Sequence, residues 1–111
     1  MKTLLVFLLA AVAAFGADIS GKWTFEVVTD QGSGSPTFEF KQDGEKLSGT
    51  YKGQFGEAKL EGTVKGNQVD FTITSENGKI SYSGTVESTT KMKGKVDLAG
   101  MASGTFTGTR Q

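Results

Sequence analysis

The chain has 111 residues, twelve Lys and Arg against twelve Asp and Glu, and neither histidine nor cysteine. That length supports a single core, the zero net charge provides no field to attract nucleic acid, and the missing Cys and His remove thiol nucleophiles, Ser-His triads and the usual zinc and copper ligands. Sixteen glycines against one proline, with eight Phe, two Tyr and one Trp, favour strands and tight turns.

Residues Met1 to Ala17 read as a secretory signal peptide: Lys2, an apolar run from Leu4 to Phe15, and small residues at Ala13, Ala14, Gly16 and Ala17. The run is about a dozen residues, short of the roughly 20 that a spanning helix needs, so stable membrane insertion is not expected. Cleavage is expected after Gly16 or Ala17. Residues 18–111 then form one β-barrel domain that is secreted or periplasmic.

From Gly21 onward apolar residues recur at every second position, and turn signals interrupt them about every ten residues. The first strand, Gly21 to Asp30, puts Trp23, Phe25 and Val27 on one face. A looser stretch from Gln31 to Ser35 follows, and a second strand begins at Pro36, turns Phe38 and Phe40 inward and ends at the hairpin dipeptide Asp43-Gly44. The third strand carries Leu47, Gly49 and Tyr51, and the fourth Ala58, Leu60, Gly62 and Val64. Beyond the turn at Gly66-Asn67 the fifth presents Val69, Phe71 and Ile73; beyond Asn77-Gly78 the sixth presents Ile80, Tyr82, Gly84 and Val86. The seventh has Met92, Gly94, Val96 and Leu98, and the eighth Gly104, Phe106, Gly108 and Arg110.

This pattern predicts an all-β fold, an eight-stranded antiparallel up-and-down meander. One recipe recurs in it: LSGTY at 47–51, LEGTV at 60–64, YSGTV at 82–86, MKGKV at 92–96, ASGTF at 102–106 and FTGTR at 106–110. Its glycines sit on the inward parity, where they weaken a strand unless a bulky neighbour needs the space or the sheet coils sharply. Both conditions hold in a narrow barrel, and closure removes the edges that a flat meander would expose.

Gly21-Lys22-Trp23 at the start of the first strand and Arg110 at the end of the last together resemble the calycin superfamily, meaning lipocalins, fatty-acid-binding proteins and avidins. The resemblance implies a lipocalin/avidin-like barrel in which Trp23 packs at the closed end beneath Arg110, giving structural barrel closure. A guanidinium on an indole face suits that place, because the charge stays solvated at the rim. LSGTY, ending in Tyr51, looks like the avidin strand whose tyrosine binds biotin. However, Phe25 stands where avidins place a biotin-binding asparagine, and Trp23 is the sole tryptophan, so biotin is not expected.

With the base closed, the other pole is formed by loops at Gln31 to Ser35, Gln54 to Gly56, Asn77-Gly78 and Gly100-Met101. Phe55 and Met101 are apolar residues that these turns do not need. At the rim they would form a greasy lip with Gln31 to Ser35 as a lid; folded inward, they would plug the barrel. Phe38, Phe40, Tyr51, Phe71, Tyr82 and Phe106 either line a cavity for a small apolar ligand or fill the interior themselves. The first alternative makes the chain an exported, non-enzymatic small barrel that binds an apolar ligand at one mouth. The second makes it a filled barrel acting as a structural or protein-interaction module, an adaptor or inhibitor, of the cell envelope.

Outside the barrel, Lys91, Lys93 and Lys95 and the neighbouring Ser and Thr residues read as ordinary solvent-facing strand positions. The strand acids Glu26, Glu39, Glu61, Asp70, Glu87 and Asp97 fall on the outward parity, and Asp43, Glu45 and Glu57 lie in or beside turns at different poles. No pair of them shares a concave site, and no metal-loop spacing occurs. Neither enzymatic activity, nor a cofactor, nor a metal, nor nucleic-acid binding is expected.

Overall fold

The computed structural model describes residues 18–54, 56–75 and 78–111, so the leader Met1 to Ala17, Phe55 and Asn77 lie outside the described residues. The described residues form strands β1 (Gly21–Thr29), β2 (Gly32–Gly34), β3 (Thr37–Asp43), β4 (Lys46–Gly53), β5 (Gly56–Lys65), β6 (Gln68–Ser75), β7 (Gly78–Ser88), β8 (Lys91–Leu98) and β9 (Ala102–Arg110). All pairings are antiparallel, and β1 pairs with β9 from Trp23↔Arg110 to Thr29↔Gly104, which closes the sheet into a barrel.

Nine segments make eight barrel strands, because β2 and β3 continue one another along the same edge of β1. Val27 faces Gly34 and Trp23 faces Phe38, one register interrupted at Ser35 and Pro36. The interruption has a chemical cause: Pro36 has no N–H for the ladder, though its carbonyl still accepts from the Phe25 N–H at 2.9 Å. The Gln31 to Ser35 stretch is therefore mostly strand rather than a loose lid. Thr29 pins its turn, its hydroxyl donating to the Gly32 carbonyl at 3.1 Å and accepting from the Gln31 N–H at 3.0 Å.

Two further details differ from the sequence reading. The first long hairpin turns at Gly44-Glu45, since Asp43 still pairs with Lys46 and Gly44 takes the positive φ of 62°. A bulge between Val86 and Ser88 shifts the β7–β8 register by one residue.

Every strand except β2 buries the face that alternation assigns it, from Trp23 and Phe25 on β1 to Phe106 on β9. The inward glycines separate into two kinds. A Cβ on Gly49 would lie 1.9 Å from the Glu39 carbonyl oxygen, and one on Gly104 would lie 1.9 Å from that of Val28. Strands this close together coil tightly enough to close a small barrel. At Gly108 the nearest atoms are those of the Phe25 ring, 2.7 Å from the added Cβ, so this glycine makes room for an aromatic, while Gly84 serves both ends, its added Cβ meeting the Lys93 carbonyl oxygen at 2.4 Å and the Phe106 ring at 2.7 Å.

Candidate ligand-binding site

One pole is sealed. Trp23 is fully buried there, and its Nε1–H donates to the Ile19 carbonyl at 2.9 Å, which draws the segment before β1 across the base with Ile19 also fully buried. Arg110 lies over the indole with its guanidinium carbon 5.1 Å from the ring centroid. Its guanidinium donates to the carbonyls of Thr89 at 2.7 Å, Ser20 at 2.6 Å and Asp18, tying β9, the β7–β8 turn and the leading segment together. Asp18 is held below the usual carboxylate range, first by the Ser20 N–H, then by the Ser20 hydroxyl, with the Arg110 charge a smaller cause.

Above the base the interior is packed with rings. Phe25 is the hub: it stacks on Phe106 at 4.7 Å, tilts against Phe38 at 4.4 Å, and meets Phe40, Phe71 and Tyr82 at 5.8–6.2 Å. Phe38 lies 5.5 Å from Tyr51, and Phe71 stacks on Tyr82 at 4.8 Å. The lower barrel is thus filled by its own side chains.

The opposite pole is hollow. A cavity of ≈ 430 Å³ opens there, walled by Val27, Ile80, Val96, Leu98, Met101 and Ala102, with Tyr51 and Tyr82 among its lining. Gly32 to Pro36 and Gly53-Gln54 form the remaining side, and Thr29 and Gln31 stand at the β1–β2 turn. Among the described residues β2 pairs only with β1, and the β3–β4 ladder ends at Thr37↔Lys52, so the wall is thinnest between β2 and the end of β4. No described lining residue is charged.

The eight residues singled out from sequence are distributed as follows. Tyr51, Tyr82 and Met101 line the cavity, Met101 at the rim with 71% of its surface exposed. Phe38, Phe40, Phe71 and Phe106 belong to the ring-packed layer and do not line it, because inward parity fixes the face of a residue but not its height in the barrel. Phe55 falls outside the described residues. Sequence reasoning missed Val27, Ile80, Val96, Leu98 and Ala102 as wall residues. Their signal was available: each combines inward parity with a place near a mouth turn. The six pentad glycines do not line the cavity, so they shape the barrel and leave hollowing to the small residues of β2.

No family model matches the sequence, and no curated protein matches it. Solved structures do resemble it. A redesigned β-barrel matches with a TM-score of 0.70 at 20% identity over 84% of this chain and 91% of its own. A second redesigned barrel, bound to DFHBI, matches with a TM-score of 0.63 at 20% identity over 83% and 98%. A de novo designed fluorescence-activating β-barrel gives 0.61 at 19% over 83% and 93%. The fatty-acid-binding protein isolated from Manduca sexta stands further off, with a TM-score of 0.48 at 14% identity. The likeness establishes the fold, a closed antiparallel eight-stranded barrel.

Proposed function

We propose that the protein is an exported, non-enzymatic carrier or sensor of a small apolar molecule, held in the cup at the mouth of the barrel. The observation that carries this reading is the ≈ 430 Å³ apolar cavity at the pole opposite a sealed base. Its volume lies within the roughly 300–1,000 Å³ of known ligand pockets, and a few polar groups in an apolar wall are the usual design of such sites. A redesigned barrel of like fold is bound to DFHBI, so the architecture is compatible with a small-molecule guest. The Trp23–Arg110 base supports a calycin-like placement for the chain. Export rests on the leader-like Met1 to Ala17; intact-mass measurement of the protein recovered from its own host is expected to show a start at Ala17 or Asp18.

The test is titration of the mature barrel with a fluorescent apolar probe, alongside Ala102→Trp and Val96→Phe, which fill the cup. Saturable one-to-one binding that raises the melting temperature is expected in the wild type, with at least about tenfold weaker binding in filled variants that still fold. A folded wild-type protein that binds no probe would leave the envelope protein-interaction module as the better reading.

A further inference from the structure

Resting on the reading of the cup as a ligand site, we infer that its ligand is an uncharged, mostly apolar molecule carrying one oxygen acceptor at its buried end, received by the Tyr82 hydroxyl. Tyr82 is only 4% exposed and lines the cavity, and among the described residues its hydroxyl has no hydrogen-bond partner. Among the described residues no sealed side-chain oxygen or nitrogen lacks a partner, so this hydroxyl is not sealed but opens into the cup. Burial, and secondarily the neighbouring Tyr51, raise its pKa far above the ordinary phenol value of 10.0. It therefore stays protonated and is a permanent donor at neutral pH.

Three ligand chemistries meet this site differently. An ionised carboxylate driven inward can accept from the Tyr82 hydroxyl but finds no cation in the described wall, so its charge would be desolvated without a counter-charge. A bare hydrocarbon end displaces water from the Tyr82 hydroxyl and gives nothing back, leaving a buried donor unsatisfied. A ketone, ester or lactone oxygen accepts the hydrogen bond while its chain packs against Val27, Ile80, Val96 and Leu98. Sites with a buried polar group aimed at the ligand reject analogues that cannot pair with it more strongly than an apolar pocket rejects a missing methylene.

The experiment displaces a bound fluorescent apolar probe with three compounds of matched length, 2-nonanone, nonane and nonanoate, at pH 7.5, on wild type and Tyr82→Phe. In the wild type the ketone is expected to displace at concentrations at least about tenfold lower than either of the others. Tyr82→Phe keeps the ring packing and is expected to bring the ketone to the level of nonane without weakening nonane. Nonanoate matching or beating the ketone, a ketone that fails to displace the probe, or a ketone preference that survives Tyr82→Phe would each overturn the inference while leaving the cup as a binding site. Failure of the probe itself to bind removes the site, and the inference with it. Should Tyr82→Phe not fold, the wild-type order of the three compounds decides alone.

Discussion

Arg110 and Trp23 face each other across the β1–β9 pairing and together hold the closed base. Trp23→Ala removes a fully buried indole and its hydrogen bond to Ile19, and is expected to cost about 3–5 kcal/mol. Arg110→Ala loses the contact with the indole and three donations to main-chain carbonyls, at about 2 kcal/mol. Urea midpoints of the two variants check both values; a near-neutral Trp23→Ala would contradict the closed base. Asp18 adds a small pH dependence. Because its folded pKa is depressed from the ordinary 3.8, its contribution is complete above that pH and lost as pH falls through the lower folded value. Asp18 is exposed, so the difference between wild type and Asp18→Asn is expected to be under about 1 kcal/mol at pH 6 and to vanish toward pH 2.

Between strands, the spacing of the backbones depends on glycine. Gly104→Ala would place a methyl 1.9 Å from a carbonyl oxygen of β1, across the pairing that closes the barrel. Backbone cannot yield there, so a loss above about 3 kcal/mol or failure to fold is expected. Gly108→Ala meets side-chain atoms of Phe25 and Met92 rather than backbone, and is expected to cost about 1–3 kcal/mol. Thermal melts of the two variants test that order. These strands were readable in the sequence because the period-two pattern is strong: Trp23-Phe25-Val27 and Val69-Phe71-Ile73 each point their apolar residues inward as alternation requires. β2 was not readable. Its Gly32-Ser33-Gly34 has no apolar period, and what makes it a strand is main-chain pairing to Val27, Val28 and Thr29. The bulge after Val86 was equally silent, because one extra residue leaves the local pattern intact.

Taken whole, the barrel is asymmetric along its axis: sealed by Ile19, Trp23 and Arg110 at one end, ring-packed in the middle, and hollow at the other. The sealed end was legible from Gly21-Lys22-Trp23 and Arg110 alone. The hollow end was not, because whether the interior is hollow or filled depends on how far the strands shear past one another, which sets the height of each inward residue. Tyr82 reaches the cup, while Phe71, its cross-strand partner, stacks on it without lining the cavity. Residue height explains why an interior with so many aromatics still has space. The rings gather around Phe25 in the lower layer, while Ala102 and the glycines of β2 leave the mouth open.

The most direct measurement is methyl-detected NMR of the mature barrel as the apolar probe is added. The expected result is saturable shifts at Val27, Ile80, Val96, Leu98 and Met101, with the base methyls of Leu47, Val64, Val69 and Met92 unmoved. A folded protein whose methyls do not respond, or whose shifts centre on the base or the outer face, would contradict a binding cup at the mouth.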